Sequence, residues 1–385
     1  MFPPLIRKSL SIALLVAGVF VLGGFGGIVF DRYVIPRLAA IPVLAKLDIF
    51  KTLTERVTII NKTEQVVIRE DDSLEKIVSQ PATAVVNIVA LETGATSAKK
   101  EVATTTGVLL TNDGLVATYS EKPFGDGAIR YSILLFDGTS HTADFVGYDP
   151  FANLSFFRLQ DAASTPAIAL ANSDDARIGK KLIAIGNAFA EYQNRLAVGI
   201  LGNINRTFNL SGKTVSSSEK LEGVFEMDLN APEYFIGGPV VGFNGEMVGL
   251  VGALTIDNVM RSFLIPSNVV RASLARAING TLATRPVLGV YYLPITKTLA
   301  LEQGLARDHG ALIYSPSGKT GLAIIADSKA MKASLQAGDI ITAVSGQEIT
   351  LDNPLSRVLA GFNQGDTIEL SIIRDGAGRT LPITL

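Results

Sequence analysis

A glycine-rich loop stands at residues 230–252, NAPEYFIGGPVVGFNGEMVGLVG. Gly237-Gly238-Pro239 predicts a tight turn shaped by the backbone, and such turns often surround a reactive group. The side chain that enters the turn is Ile236, preceded by Phe235. A hydrocarbon side chain has no lone pair and cannot form a covalent intermediate with a substrate. These residue types therefore argue against nucleophilic catalysis at the turn.

The rest of the chain offers few catalytic alternatives. It contains no cysteine, which excludes thiolate nucleophiles and cysteine-bound zinc, and its two histidines are His141 and His309. Neither histidine has another metal ligand at a useful spacing. Ser120 and Thr118 could in principle pair with a lysine, but no glycine-rich loop stands beside them to stabilise an oxyanion. We therefore expect no metal and no cofactor.

The composition indicates a globular chain of two or three domains. The chain has 385 residues, of which 48% are hydrophobic and 18% are charged, a balance that supplies large buried cores. Its net charge of −2 provides no basic field for nucleic acid, and we exclude that class of partner.

An apolar segment near the N-terminus predicts a membrane anchor. Residues 9–30, SLSIALLVAGVFVLGGFGGIVF, carry no charge and lie between Arg7-Lys8 and Asp31-Arg32. A helix of this length spans about 30 Å of hydrocarbon. A cleaved signal peptide is the alternative, but its apolar region is only about 7–15 residues long. Because positive charge flanks both ends, the orientation rests on the large body that follows, which suits a cytoplasmic N-terminus and an exported remainder.

After residue 70 the pattern changes from a short helix to many strands. DDSLEKIVSQ (residues 71–80) predicts a helix that is capped by Asp72 and ended by Pro81. From Ala84 onward, apolar and polar residues alternate in about a dozen short segments. Hairpin turns are predicted at Asn112-Asp113-Gly114, Asp137-Gly138 and Asn244-Gly245. This pattern favours antiparallel β-barrels.

A helical linker and a smaller module complete the chain. NVVRASLARAINGT (residues 268–281) predicts a helix. The module after it mixes strands with two short helical stretches, near Leu299 and Leu355. Within it, LQAGDIITAVSGQEI (residues 335–349) places a turn before a strand.

Several of these motifs together resemble the HtrA family, in which a trypsin-like serine protease domain precedes a PDZ domain. The motifs are IGNAFAEYQNRLAVGILGNINR (residues 185–206), SFLIPSNVV (262–270), VLGVYYLPITKTLALEQGL (287–305), LQAGDIITAVSGQEI (335–349) and the glycine-rich turn. They occur in the family's order and cover almost everything after residue 70. The resemblance implies a mainly β fold, a trypsin-like double antiparallel β-barrel followed by an α+β PDZ domain. The apolar segment adds an N-terminal transmembrane helix.

The expected domain organisation follows from these assignments. Residues 1–30 form a cytoplasmic N-terminus and the transmembrane helix, and residues 31–70 form a stem. Residues 71–275 form the HtrA-type protease-fold domain, and residues 282–385 form the PDZ domain.

The resemblance also implies that all three residues of the protease triad are replaced. The family's nucleophile lies in Gly-Asn-Ser-Gly-Gly-Pro, where Ile236 occupies the position of the serine. Its base lies in Thr-Asn-Asn-His-Val, which places Glu121 in the position of the histidine, and none of residues 119–122 is histidine. Its acid follows shortly after Asp-Pro, where this chain has Asn153, and an amide does not stabilise an imidazolium as a carboxylate does. We therefore expect no proteolysis of the family's type.

Peptide binding is the activity that the resemblance leaves in place. In PDZ domains a loop presents backbone N–H groups to a C-terminal carboxylate, and the peptide adds as a strand to the sheet edge. The predicted peptide-binding residues are Val287, Leu288, Gly289 and Val290 in the loop, Tyr291 and Tyr292 on the strand, and Leu355, Val358 and Leu359 on a helix. The alternative is a degenerate PDZ domain that only packs on the barrel.

Three hypotheses for function remain open at this point. The first is a membrane-anchored pseudoprotease that binds polypeptide C-termini or unfolded proteins outside the cytoplasm, as adaptor, regulator or holdase. The second is an active serine endopeptidase of envelope quality control with an unrecognised site. The third is a structural envelope scaffold. The resemblance also implies assembly, as a homotrimer or with an active relative, at the cell membrane with the bulk of the chain periplasmic or extracellular.

Overall fold

The structure, a computed structural model, describes residues 70–385 apart from 93–99, 125–128, 162–163, 188–193, 213–214, 316 and 318–321, together with eight residues between 18 and 29. The chain divides into two units, Met1–Val67 and Ile68–Leu385. No helix among the described residues is long and apolar enough to cross a membrane. Most of the predicted span 9–30 lies outside the described residues, as does the predicted stem apart from residue 70.

A helix and a closed six-stranded barrel begin the second unit. Helix α1 (Glu70–Thr83) precedes the first barrel. The barrel strands are β1 (Val85–Glu92), β2 (Lys100–Leu109), β3 (Leu115–Tyr119), β4 (Ile129–Leu134), β5 (Ser140–Asp149) and β6 (Leu154–Leu159), in the order β1-β2-β3-β6-β5-β4. Aromatic rings pack inside it, with the centroid of Phe157 4.9 Å from that of Tyr131 and 5.1 Å from that of Phe124. Such edge-on contacts stabilise a core beyond the area they bury.

A second closed barrel follows directly. Its strands are β7 (Lys181–Gly186), β8 (Arg195–Asn209), β10 (Glu222–Met227), β11 (Pro239–Val241), β12 (Met247–Ile256) and β13 (Val259–Pro266), in the order β10-β13-β12-β11-β7-β8. Short 3₁₀ turns lie at Ser173–Asp175 and Pro232–Tyr234. Helix α2 (Ser267–Ile278) then leaves the barrel and buries Val270 and Ala277 in the core shared with the first barrel.

The C-terminal module is a mixed α+β unit built on one sheet. Its elements are β14 (Tyr291–Pro294), α3 (Lys297–Gln303), β15 (Ala311–Ile313), α4 (Lys329–Lys332), β16 (Ile340–Val344), β17 (Gln347–Glu348), α5 (Leu355–Ala360), β18 (Thr367–Arg374) and β19 (Ala377–Thr384). The sheet order is β19-β18-β16-β15-β14-β9, in which β9 is Ser216–Ser217, and β17 is paired to β16. Strand β9 (Ser216–Ser217) belongs to the loop between β8 and β10, so the second barrel contributes a strand to the C-terminal sheet.

The fold confirms the mainly β prediction of two barrels and a PDZ-like sheet. Gly114, Gly138 and Gly245 adopt φ angles of 81°, 83° and 79°, the left-handed conformation that hairpin turns require and glycine permits. The prediction for the first helix was wrong at both ends. Helix α1 begins at Glu70, before Asp72, and continues through Pro81 to Thr83.

Candidate functional site

The glycine-rich turn lies where the two barrels meet. Gly237 has a φ of 83°, and a Cβ atom on it would overlap the carbonyl oxygen of Thr106 and the hydroxyl of Thr118, both in the first barrel. A Cβ on Gly238 would overlap the carbonyl oxygen of Ile185 in the second barrel. Close backbone approach therefore requires glycine at both positions whether or not the turn performs chemistry.

The side chains that enter this turn are engaged in packing. Phe235 is 4% exposed and belongs to the core of the second barrel. Ile236 is half-buried and packs against the core shared by the barrels. The guanidinium of Arg195 lies 3.8 Å from the centre of the Tyr234 ring, a favourable cation–π distance. The residue that the sequence analysis predicts at the position of the nucleophile is thus a packed hydrocarbon.

Three backbone N–H groups close to Ile236 in the sequence also donate hydrogen bonds to carbonyls of the same chain. The N–H of Tyr234 donates to the carbonyl of Ala231 at 3.3 Å, and the N–H of Phe235 donates to the carbonyl of Pro232 at 2.9 Å. The N–H of Gly237 donates to the carbonyl of Val251 at 2.9 Å. Oxyanion stabilisation needs donors aimed at the reacting oxygen. These three N–H groups are therefore held by other carbonyls, two within the 3₁₀ turn and one on β12.

Glu121 lies on the surface just after β3 and is exposed. Its backbone carbonyl accepts a hydrogen bond from the Tyr148 hydroxyl at 3.0 Å. Two residues earlier, burial raises the pKa of Tyr119 well above its ordinary value. Ser120, which the sequence suggested as a weak alternative nucleophile, has its hydroxyl 2.6 Å from that of Ser155. Its described side-chain contact is with another hydroxyl and includes no lysine.

Asn153 is the most fully bonded of the three predicted positions. It is 2% exposed and adopts a left-handed φ of 54°, which asparagine tolerates better than most residues. Its Oδ1 accepts from the Tyr148 hydroxyl at 2.9 Å and from Nζ of Lys220 at 2.8 Å. Lys220 also donates to the carbonyl of Pro150 at 2.7 Å. Burial lowers the pKa of Lys220, while Asp149 opposes that shift.

The hydrogen-bond network therefore joins two of the three predicted positions. Tyr148 connects the backbone of Glu121 to the side chain of Asn153. The described hydrogen bond at Ile236 runs from the Thr105 hydroxyl to its carbonyl at 3.5 Å and involves neither Glu121 nor Asn153. The sequence did not predict the role of Lys220, because its contact with Asn153 crosses 67 positions.

Neither histidine belongs to this region. His141 lies on β5 with Nε2 3.4 Å from the Thr139 hydroxyl. His309 lies in the C-terminal module, where Nδ1 is 2.7 Å from Asp308 and Nε2 is 2.9 Å from Glu348. Among the described residues there is no group of three or more His, Cys, Asp or Glu side chains that could hold a metal ion.

A buried ion pair ties the C-terminal module to the barrels. Asp149 is completely buried, and Arg285 donates to its two oxygens from Nε at 2.7 Å and from a terminal nitrogen at 2.5 Å. The hydroxyl of Ser273 on α2 donates to the same carboxylate at 2.6 Å. The guanidinium also lies 4.5 Å from the centre of the Phe151 ring. Nothing in the sequence identifies Arg285 as the partner of Asp149, because the two residues are 136 positions apart.

The predicted peptide-binding residues are gathered around β14, but most of them are inaccessible. Val287 is exposed, whereas Leu288, Val290 and Tyr292 are buried. Gly289 has a φ of 86°, and a Cβ on it would overlap Ser328. The helical residues Leu355, Val358 and Leu359 are buried in the core that also contains Leu288 and Tyr292.

The edge of β14 is paired with the second barrel. Strand β9 runs antiparallel to β14, with Ser217 opposite Tyr291 and Ser216 opposite Tyr292. The sequence predicted Tyr291 and Tyr292 as a docking edge. The structure places a segment of the same chain along that edge.

Comparisons with known proteins agree with this architecture. A family model of the trypsin-like peptidase domain matches residues 101–250, and a PDZ domain model matches residues 287–385. The chain is 27% identical over 282 residues to a probable periplasmic serine endoprotease DegP-like from Rhizobium meliloti, covering 72% of this chain and 52% of the relative. It is 29% identical over 283 residues to the protein of the same description from Chlamydia trachomatis, covering 73% and 53%. The chain thus spans about half the length of the curated relatives it matches.

Solved structures show the same fold. The structure of the HtrA-type protease AlgW with tripeptide has a TM-score of 0.62 at 22% identity, covering 80% of this chain and 95% of that one. The structure of AlgW with decapeptide has a TM-score of 0.59 at 21% identity, covering 80% and 96%.

Proposed function

Because this chain belongs to the HtrA family, with a trypsin-like peptidase fold followed by a PDZ domain, we propose that it is a pseudoprotease of that family. In this proposal the barrel domain no longer hydrolyses peptide bonds. The PDZ domain binds polypeptide C-termini or unfolded proteins, and the protein acts as an adaptor, regulator or holdase.

The observation that carries the proposal is the state of the glycine-rich turn. Ile236 stands at its entrance as a packed hydrocarbon, and the N–H of Tyr234 is already bonded to Ala231. A serine hydroxyl needs an adjacent base to become nucleophilic, and Glu121 is an exposed residue whose described backbone contact is with Tyr148. Asn153 provides an amide where a carboxylate would orient an imidazole. At each predicted position of the triad, the residue present lacks the chemical group that acyl transfer requires.

Peptide recognition is supported by the loop before β14 and by the relatives. The N–H of Gly289 donates to Oε1 of Glu219 at 2.8 Å, and the N–H of Val290 donates to the hydroxyl of Ser218 at 3.1 Å, so both loop donors face acceptors on one adjacent segment. The solved AlgW structures carry a tripeptide and a decapeptide. Backbone N–H groups at the end of a sheet edge are the means by which PDZ domains bind a carboxylate.

The proposed location is the outer side of a membrane. The curated relatives are described as periplasmic, and residues 9–30 carry an uncharged apolar run long enough to span a bilayer. We expect protease added to intact spheroplasts to digest the PDZ domain of the full chain. Complete protection of the chain would refute the exported orientation.

Catalytic inactivity is tested with the full chain in detergent. It should neither react with a fluorophosphonate probe nor cleave unfolded casein. The variant Ile236→Ser should remain inactive because the new hydroxyl has no base. Ile236→Val is the matched control for packing at the same position. Labelling of any serine in the natural chain, or casein cleavage that the probe abolishes, would establish the active-endopeptidase alternative.

Peptide binding is tested on the same preparation with peptides that differ only in their C-terminus. A free carboxylate should bind about ten- to a hundredfold more tightly than the amide, because a hydrogen bond to a charged group contributes about 1.5–3 kcal/mol. Equal affinity of the free and amidated peptides would remove C-terminal recognition and favour the scaffold alternative.

A further inference from the structure

The segment from Ser216 to Glu219 lies in the groove where a PDZ ligand would bind. It leaves the second barrel after β8 and runs antiparallel to β14. The N–H of Ser218 donates to the carbonyl of Val290 at 3.1 Å, which continues the ladder beyond the paired serines. Extended pairing along this edge is the contact that an added peptide strand would make.

The carboxylate of Glu219 occupies the position of a terminal carboxylate. Its Oε1 accepts from the N–H of Gly289 at 2.8 Å. The preceding residue is Ser218, whose N–H pairs with Val290. A peptide ending at the position of Ser218 would place its own carboxylate beside the same loop. The direction of the segment, its register and its negative charge all correspond to a bound C-terminus.

Hydrogen bonds within residues 216–219 and from Asn209 hold the segment in this position. The Ser218 hydroxyl donates to Glu219 Oε1 at 2.6 Å, and the Ser217 hydroxyl donates to Oε2 at 3.0 Å. The amide nitrogen of Asn209 donates to the carbonyl of Ser217 at 3.3 Å and to that of Lys220 at 3.1 Å. Ser216, Ser217 and Ser218 are all buried. Polar side chains of this kind are normally solvated, and their burial depends on these bonds.

We propose that residues 216–219 are an internal ligand that closes the PDZ groove, and that an external C-terminus with an apolar last residue displaces them. The proposal rests on the peptide-binding function proposed above and adds its regulation. The serines supply backbone pairing and a carboxylate, but they place no large apolar side chain in the groove. An external peptide with such a side chain gains burial that the internal segment lacks. The internal segment compensates because it is tethered next to the groove at high effective concentration.

The proposed test uses a fluorescein-labelled peptide, Gly-Lys-Thr-Val-Ser-Ser-Val with a free carboxylate. It repeats residues 212–217 and ends in valine at the position of Ser218. Fluorescence polarisation measures its affinity for the full chain in detergent. The variant Glu219→Ala should bind this peptide at least about tenfold more tightly than the natural chain does, because residues 216–219 no longer compete with the peptide for the groove. Glu246→Ala, which alters a glutamate on a barrel hairpin away from the groove, is the matched control and should bind like the natural chain.

A reversible lock provides the second measurement. Ser217 and Tyr291 are direct cross-strand partners, and the chain has no other cysteine, so the double variant Ser217→Cys/Tyr291→Cys should form one disulfide on mild oxidation. The oxidised form should lose binding of the labelled peptide, and reduction with dithiothreitol should restore it.

The outcomes separate the two proposals. The internal-ligand proposal would be overturned if the disulfide failed to form. It would also be overturned if the natural chain, Glu219→Ala and both redox forms of the double variant bound the peptide with equal affinity. Either result would leave peptide binding intact. If the disulfide forms but neither Glu219→Ala nor the reduced double variant binds the peptide, peptide binding itself is overturned. The internal-ligand proposal, which depends on it, then falls as well.

Discussion

Replacing Glu222 with glutamine should remove a pH-dependent loss of folding stability at the contact between the second barrel and the PDZ domain. Glu222 begins β10 and is 1% exposed. Burial raises its pKa from the ordinary 4.5 to about 7, opposed by Ser216, by Tyr292 on β14 and by Arg357 on α5. The carboxyl therefore lies among groups of both domains, and its charge state affects the contact between them.

The direction of the effect follows from proton binding. Between about pH 4.5 and pH 7 the folded chain keeps a proton on Glu222 that the unfolded chain has released. The free energy of unfolding therefore falls as the pH rises through this window and is lowest above it. A pKa difference of this size corresponds to roughly 3 kcal/mol. Glutamine has nearly the same shape and carries no charge at any of these pH values.

The measurement is urea unfolding of the full chain in detergent at pH 5 and pH 8, followed by circular dichroism. We expect Glu222→Gln to match the natural chain near pH 5 and to be more stable at pH 8 by up to about 3 kcal/mol. Glu369→Gln, at an exposed position on β18, is the control and should change little at either pH. If the difference between Glu222→Gln and the natural chain is the same at both pH values, Glu222 does not titrate as a buried group.

Two further substitutions test the buried ion pair at Asp149 and the close backbone packing within the second barrel. Arg285→Met should destabilise the fold by about 3–5 kcal/mol, because it leaves the buried carboxylate of Asp149 without its partner, and a urea midpoint unchanged from the natural chain would contradict this. Gly238→Ala should destabilise the barrels by more than about 1 kcal/mol, because the new Cβ would overlap a backbone carbonyl. Gly378→Ala, which has open space for a Cβ, is its control, and equal thermal stability of the two variants would refute the packing account.

Local patterns predicted several hairpins of the barrels because a short turn joins strands that follow each other in the sequence. Asn244-Gly245, for example, joins strands that are neighbours in both sequence and space, and its glycine has the required φ. The first helix shows the limit of local rules. Asp72 and Pro81 have the residue types of helix ends, yet both lie inside α1. Packing of the helix against the barrel overrides those preferences.

The contacts on which the proposed function and its regulation rest were not predictable in the same way, because they join distant parts of the chain. Ser216 and Ser217 have neither the alternation nor the residue types of a strand, and they become one because the edge of β14 lies beside them. The hydrogen bond from Gly289 to Glu219 spans 70 positions. A run of serines before a glutamate carries no local signal for a ligand, so only the folded arrangement identifies it.

Glycines in the turn and in the loop before β14 are required for packing, but only the loop glycine also donates a hydrogen bond to a carboxylate. Glycine is required at position 237 because the first barrel approaches the turn too closely for a side chain, and at position 238 because the backbone of Ile185 in the second barrel does. Gly289 is also required by packing, against Ser328, but its N–H remains in use and bonds to a carboxylate. A backbone donor that holds a carboxylate from its own chain can hold one from another chain after exchange. The groove is therefore the part of this fold where the geometry still supports recognition.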